Sequence, residues 1–428
     1  MGTPRIARVF GALNIGSFRI SAMIAGITET GETVVLGSFH RASQGIRKGF
    51  VTDMAAATYA IRDAVDRAEK IAGAGVTSVW VGCSGAGLAS RIDQVEIDIG
   101  GRRIEEDDVD HLLVAARDAI QPDGRMVLHA QPAHYTLDGA HGVANPVGLH
   151  AERLGVDIHV MMADGAPIRN LTEAVQNAHL DVEAMVASPV AVSQACLGPE
   201  ERELGVALVE MGADVTNVAL HAGGMLVGLA PLPFGSADIT DAIASTFGIR
   251  RHQAERLKCM EGSALASPSD HRQMIPVFGP SDDGLGHMTR VRHADEQNRI
   301  PLAELVSVIT QQLGRQTDEI GKALKAMGFS GQRGQQVVLT GGGAALSGIA
   351  DYAQSALGRP VRVTAGPQLR GLPEAHAVPD FATLSGLVVY ATADPVDIRT
   401  LGPRRQSVTT SGISALARRI GGAMRDYF

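Results

Sequence analysis

Two apolar segments of this chain each break at a glycine and then resume, the first at Gly16 and the second at Gly212. The segments are residues 12–20 and 207–219. An apolar run that turns at a glycine and becomes apolar again predicts a β-hairpin with a tight loop. Glycine in such a turn lets backbone N–H groups approach an anion closely. Two such turns in separate halves of the chain predict a phosphate chain held between two lobes.

The residues beside these turns lack the acids that phosphate chemistry uses. An acidic side chain near each turn would hold Mg²⁺ or orient a water molecule. Two positions where such an acid is expected carry the amides of Asn14 and Asn217 instead. The pattern therefore favours a site that holds a nucleotide over a site that cleaves it.

Composition narrows the class of protein. The chain has 428 residues, 45 % hydrophobic and 20 % charged, which suits a globular protein of several domains. Its net charge of −8 gives no reason to expect nucleic acid as a partner. The cysteines, Cys83, Cys196 and Cys259, show no metal-binding spacing, so we expect buried thiols in a reducing compartment. With no long apolar run and no signal-peptide pattern at residues 1–16, we expect a cytoplasmic protein.

Local patterns predict strands and helices in alternation through the first half. The expected elements are a strand at 33–40, a helix at 54–71, a strand at 78–81, a helix at 168–178, a strand at 183–187 and a helix from Pro189. Residues 83–160 predict an inserted α+β unit with strands at 94–99, 126–131 and 156–163 and a helix at 107–120. The acids at 105–108 open that helix, and we interpret them as complements to its dipole rather than as a metal site.

The second glycine turn begins a second copy of the opening order. The expected elements are a strand at 226–231, a helix from Ser236, an irregular stretch at 260–298, a long helix from Pro301, a strand at 336–340 and a segment at 383–392. The turn Gly341-Gly342-Gly343-Ala344 stands between an apolar strand and a helix at 346–357, an arrangement that presents N–H groups at a helix N-terminus. It matches neither GxGxxG nor GxxxxGK[ST], so we interpret it as a third wall of the same pocket.

The C-terminal residues predict an interfacial helix after a flexible linker. At 100° per residue seven apolar side chains of 412–428 fall within an arc of about 120°. They are Ile413, Leu416, Ala417, Ile420, Met424, Tyr427 and Phe428, with Arg418 and Arg425 on one flank and Arg419 on the other. Five arginines and one acid follow Leu401, a composition suited to anionic lipid. An ordinary docked terminal helix is the alternative.

Together these motifs resemble the actin/Hsp70/sugar-kinase superfamily and, within it, the FtsA family of bacterial cell-division proteins. The resemblance extends along nearly the whole chain, because short segments between the motifs also match; they are residues 145–149, 201–205, 254–258 and 338–342. The resemblance implies an α/β, actin-like (ribonuclease H-like) two-lobed fold with duplicated βββαβα cores, an inserted α+β subdomain and a C-terminal amphipathic helix. The implied units are subdomain 1A at 6–82, 161–203 and 366–396, insert 1C at 83–160, subdomain 2A at 204–235 and 301–365, subdomain 2B at 236–300, a linker at 397–411 and a membrane-targeting helix at 412–428.

The resemblance also implies an ATP site with Mg²⁺ held through the nucleotide, near Asn14 and Glu210, and no metal site of the protein itself. The implied phosphate-binding residues are Asn14, Gly16, Ser17, Phe18 and Arg19 on the first turn and Glu210, Gly212, Ala213, Asp214 and Thr216 on the second. The adenosine would meet Gly341, Gly342, Gly343 and Ala344 opposite Glu255 and Lys258, which by spacing alone form a surface i,i+3 ion pair.

This chain departs from the family pattern at its acids. Asn14 and Asn217 stand where the family has acids, and Glu210 stands where it commonly has the shorter aspartate. Asp214 stands where the family has glycine. Asp214 adds a like charge beside the expected phosphates, which weakens binding unless Mg²⁺ compensates. We therefore expect no catalytic residue and very slow or absent hydrolysis.

For function the resemblance implies an adaptor of the division ring, peripheral on the inner face of the cell membrane. It would polymerise, bind the C-terminal peptide of the tubulin-like protein FtsZ on subdomain 2B with Arg299, and contact later division proteins through the insert. The alternatives are a kinase of the same superfold and another actin-like scaffold, for pilus assembly or rod shape. A kinase needs an acidic base, which Asn14 and Asn217 do not supply, and the basic tail favours the division protein over the other scaffolds.

Overall fold

The first lobe is built on a five-stranded sheet that starts with the predicted hairpin. The computed structural model describes residues 5–85, 87–277, 299–329, 335–393 and 395–400. The opening elements are β1 (Ile6–Ile15), β2 (Arg19–Thr28), β3 (Thr33–Ala42), β4 (Ile46–Arg47), β5 (Phe50–Val51), α1 (Met54–Ala72) and β6 (Ser78–Cys83). Strands β1, β2 and β3 are antiparallel, and β6 joins β1 in parallel.

Helix α1 illustrates why local signals predicted this lobe well. Asp53 caps it by accepting a hydrogen bond from the Ala56 amide at 3.0 Å, and the left-handed Gly73 ends it. Its buried residues recur at three and four positions and pack on the sheet; they are Ala57, Ala60, Ile61, Ala64, Val65 and Ala68. The helix extends one residue beyond the predicted 54–71.

The insert is a separate small unit with its own core. Its elements are β7 (Ala89–Asp98), α2 (Glu106–Ala119), β8 (Met126–Leu137), β9 (Ala140–Val143) and β10 (Arg153–Ala163). The strands form one antiparallel sheet in the order β7-β10-β8-β9. The short β9 was not predicted, because four residues after a turn carry little pattern. The acids at the start of α2 cap it, and the described residues contain no metal-binding group of three His, Cys, Asp or Glu side chains.

The second lobe repeats the sheet order of the first. The first lobe is completed by α3 (Gly165–Asn177), β11 (Asp181–Ala187) and α4 (Ser188–Cys196). The chain then continues through α5 (Pro199–Leu204), β12 (Val206–Met211), β13 (Thr216–Ala222), β14 (Met225–Leu232), α6 (Ser236–Phe247), α7 (Arg251–Glu261), β15 (Met274–Pro276), β16 (Arg299–Pro301), α8 (Leu302–Ala326), β17 (Val337–Thr340), α9 (Ile349–Leu357) and β18 (Val361–Val363). The last helix, α10 (Ala382–Ala393), returns to the core of the first lobe. The first sheet is ordered β3-β2-β1-β6-β11 and the second β14-β13-β12-β17-β18. The predicted duplication is confirmed.

Two buried helices join the lobes. Helices α4 and α10 pack against each other beneath the two sheets, and nine of the twelve residues of α10 are buried. A helix that is apolar on every side belongs in the centre of a protein, so this pair forms the junction around which the lobes meet. Among the described helices, none is both long and apolar enough to cross a membrane.

Several details differ from the sequence predictions. The triple glycine does not open a helix directly, because Gly342–Ala345 forms a 3₁₀ turn and α9 starts only at Ile349. Cys83 and Cys196 are buried as expected, but Cys259 is exposed. The first residues of the linker expected at 397–411 are docked, since Ile398–Thr400 forms a turn with Ile398 fully buried in the core of the insert. The remaining linker, the helix expected at 412–428 and residues 278–298 lie outside the described residues.

Candidate functional site

A cavity of about 740 Å³ lies between the lobes, and most of the predicted site residues line it. The two hairpin turns, at 16–18 and 212–215, face it from opposite lobes. The lining residues that the sequence predicted are Asn14, Gly16, Ser17, Phe18, Arg19, Glu210, Gly212, Ala213, Asp214, Glu255, Lys258, Gly341 and Gly342. Thr216, Gly343 and Ala344 are buried and lie outside this lining.

The two turns have the same backbone geometry. The Gly16 amide donates to the Arg19 carbonyl at 3.0 Å, and the Gly212 amide donates to the Val215 carbonyl at 2.9 Å. A Cβ atom at Gly16 or Gly212 would lie 2.8 or 2.6 Å from that same carbonyl oxygen. Each turn therefore requires glycine for steric reasons, and residues of both turns line the cavity.

Glu210 is held in place by side chains from both lobes. Its Oε2 accepts hydrogen bonds from Ser188 Oγ at 2.6 Å and from Asn217 Nδ2 at 2.9 Å, and its Oε1 accepts one from Thr383 Oγ1 at 2.6 Å. Ser188 begins α4 and Thr383 lies on α10, so this carboxylate of the second lobe is tied to both junction helices. With both oxygens engaged, Glu210 is a structural anchor at the base of the cavity.

Asn217 lies behind the second glycine turn instead of on it. It is 1 % exposed, and its amide nitrogen also donates to Ser84 Oγ at 2.8 Å. The amide thus links the second lobe to the loop after β6. An acid at this position would meet Glu210 at hydrogen-bond distance, so the neutral amide is what permits the network.

Asp214 makes a contact across the cleft that the sequence did not predict. Its Oδ2 accepts a hydrogen bond from the backbone amide of Lys48 at 3.0 Å, and Lys48 lies between β4 and β5 of the first lobe. The neighbouring Gly49 amide donates to Ser17 Oγ at 3.4 Å. The β4–β5 turn therefore lies beside both glycine turns.

Glu255 and Lys258 form the expected ion pair, but they do so in the cavity wall. Lys258 Nζ lies 2.8 Å from Glu255 Oε2 and donates to Thr240 Oγ1 at 2.9 Å, and Lys258 is 8 % exposed. Burial raises the pKa of Glu255, but the Lys258 ammonium together with the hydrogen bonds from Thr240 and Cys259 holds that pKa below its usual value. The ion pair that the spacing predicted is therefore present, but it is largely buried instead of lying on the surface.

Several other residues of the cavity wall were not predicted from the sequence. Asp380 pairs with Arg19 at 2.8 Å although 361 residues separate them, and Ser84, Ser236 and Thr383 also line the cavity. These residues belong to no motif with a fixed spacing, so only the fold brings them together. Arg299 lies elsewhere, exposed on β16 and outside the lining of this cavity.

Comparisons with known proteins agree with this architecture. The model of the "SHS2 domain inserted in FTSA" matches residues 85–162, and that of "Cell division protein FtsA" matches residues 207–386. Cell division protein FtsA of Agrobacterium fabrum is 32 % identical over 446 aligned positions, covering 100 % of this chain and 98 % of that protein.

Solved structures show the same fold at low sequence identity. The PilM–PilN type IV pilus biogenesis complex matches with a TM-score of 0.61 and 16 % identity, covering 90 % of this chain and 98 % of that one. MreB 5 of Spiroplasma citri bound to AMPPNP matches with a TM-score of 0.51 and 11 % identity, covering 90 % and 96 %. The repeated sheets and the cleft between them define an actin-like protein. With its full-length relatives and its SHS2 insert, the chain belongs to the FtsA family of cell-division proteins.

Proposed function

We propose that this chain is an actin-like adaptor that binds ATP with Mg²⁺, polymerises, and tethers FtsZ filaments to the inner face of the cytoplasmic membrane. The observation that supports nucleotide binding best is the pair of glycine turns, one from each lobe, on a single cavity. The cavity volume of about 740 Å³ is in the range of small-molecule sites. The likeness to an MreB solved with AMPPNP adds support.

In this proposal the backbone of the two turns holds the phosphates, and the wall of α6 and α7 holds the nucleoside. Ser236 and Ala237 begin α6 and line the cavity, and their amides donate to the Gly212 and Ala213 carbonyls at 2.9 Å, which joins this helix to the second glycine turn. Bound Mg²⁺ would neutralise phosphate charge. The acidic side chains of the described cavity wall all have hydrogen-bond donors: Glu210, Asp214, Glu255 and Asp380. We therefore infer that nucleotide holds the lobes together and is turned over very slowly or not at all.

Gly212→Val is expected to weaken ATP binding about tenfold or more, because the added side chain collides with the Val215 carbonyl and distorts the turn. Titration of a fluorescent ATP analogue measures this, and Gly75→Val is the control, since Gly75 is an exposed loop residue outside the cleft. Equal affinities for the two variants would count against the site. Steady phosphate release by the purified wild type, lost in Glu210→Gln, would contradict slow turnover.

For the membrane contact we propose the amphipathic residues 412–428. Deleting them is expected to leave a folded protein that no longer pellets with anionic liposomes, because the basic apolar helix is the lipid contact. The segment contains no tryptophan, so a single tail should bind weakly and polymers more strongly through effective concentration. Changing Arg418, Arg419 and Arg425 to glutamine should reduce pelleting on anionic vesicles specifically. Unchanged pelleting of the deletion variant would refute this role.

For the FtsZ peptide we propose subdomain 2B, where Arg299 is exposed on β16. A cationic side chain suits the acidic groups of a peptide, including its terminal carboxylate. Later division proteins and neighbouring copies of the chain are proposed to use the insert.

A further inference from the structure

The acids of the cavity wall differ in how their charge is compensated. Asp380 pairs with Arg19 at 2.8 Å and Glu255 pairs with Lys258 at 2.8 Å. Glu210 is 7 % exposed and directs its oxygens to side-chain donors at the base of the cavity. These three carboxylates are therefore neutralised or turned away from a ligand.

Asp214 is the exception on the described wall. Its partner is the backbone amide of Lys48, and the Lys48 ammonium forms no ion pair with it among the described residues. A backbone amide fixes the position of a carboxylate without cancelling its charge. Asp214 also lies on the second glycine turn itself, half-buried and lining the cavity.

The contact also fixes where that charge lies. Lys48 adopts a left-handed backbone with φ of 50°. Gly85 packs so closely against the Lys48 carbonyl and Val215 that a Cβ atom there would lie 3.0 and 2.9 Å from them. Gly49 contacts Ser17 on the first turn. The carboxylate is thus held between the β4–β5 turn and the second glycine turn, in the wall of the cavity.

We propose that Asp214 sets the charge selectivity of this cleft, so that binding weakens with each phosphate charge that no cation neutralises. This inference rests on the proposed nucleotide site. A fixed negative charge repels a metal-free triphosphate more than a diphosphate, and it repels the Mg²⁺ complex of the triphosphate least. The cleft therefore takes the Mg²⁺ complex or the diphosphate and rejects the free triphosphate.

The test compares four ligands, ATP and ADP each with Mg²⁺ or with EDTA, by calorimetric titration of the full chain. Asp214→Asn keeps an oxygen for the Lys48 amide and removes the charge. We expect it to tighten binding of metal-free ATP about tenfold, metal-free ADP by less, and Mg²⁺–ATP by about twofold or less. Asp66→Asn makes the same charge change on the exposed face of α1 and should leave all four affinities unchanged.

An equal effect of Asp214→Asn on all four ligands, or no effect, would overturn the inference while leaving the nucleotide site intact. Asp214→Ser is also neutral and can accept a hydrogen bond, so it must give the same order of shifts; a different order would also overturn it. If neither the wild type nor the variants bind any of the four ligands while their thermal unfolding midpoints agree, the proposed function itself fails.

Discussion

Replacing Glu210 with alanine is expected to lower the free energy of unfolding by about 3 kcal/mol. The variant leaves the hydroxyls of Ser188 and Thr383 and the amide of Asn217 without the oxygens that they now contact at 2.6, 2.6 and 2.9 Å. These donors come from α4, α10 and β13, so the loss falls on the junction of the two lobes. Buried polar groups without partners destabilise proteins more than a lost surface contact does.

Urea denaturation can measure this effect through Trp80, the only tryptophan of the chain, which contacts Tyr390 of α10 edge to face. Glu210→Gln keeps the shape and one carbonyl oxygen, so its loss should be intermediate, about 1–2 kcal/mol. Glu173→Ala removes an exposed carboxylate from α3 and serves as the matched control. If Glu210→Ala and Glu173→Ala unfold at the same urea concentration, Glu210 is not the anchor described above.

Acidification is expected to destabilise the fold through three buried histidines. Burial lowers the pKa of His129 and of His221 to about 3, and that of His159 to about 4. His129 Nε2 accepts a hydrogen bond from the Ala187 amide at 3.0 Å, which requires the neutral ring. Since an unfolded histidine has a pKa near 6.5, the unfolded chain binds more protons below that pH. Stability is therefore full above pH ~6.5 and falls steadily as the pH drops towards the folded values.

Each of these histidines should account for about 2 kcal/mol of lost stability at pH 5 relative to pH 7.5. Denaturation at the two pH values measures the sum, and His221→Gln should reduce the difference by about a third. His150→Gln, on an exposed loop, should leave it unchanged. A pH dependence that is identical in wild type and His221→Gln would show that the buried ring does not carry this effect.

Sequence reasoning predicted those features that depend on neighbours in the chain. The glycine turns, the cap of α1 at Asp53 and the repeated sheet order all follow from local spacing, and the structure has them. The surroundings of Glu210 could be predicted only in part: Asn217 lies opposite it in the predicted hairpin, whereas Ser188 and Thr383 are 22 and 173 residues away. The same holds for Asp380 on Arg19 and for the amide of Lys48 on Asp214. Neither contact has a characteristic spacing, so each appears only when the lobes are assembled.

The docked turn at Ile398–Thr400 limits how far the body of the protein could lie from a bilayer if the proposed lipid-binding residues were anchored there. Ile398 is fully buried against the insert, and Arg399 donates to the Val127 carbonyl at 2.8 Å. The linker to the proposed lipid-binding residues therefore starts at the insert and contains only residues 401–411. Eleven residues span at most about 40 Å when fully extended. A tail anchored in lipid would thus keep the insert within about 40 Å of the membrane surface.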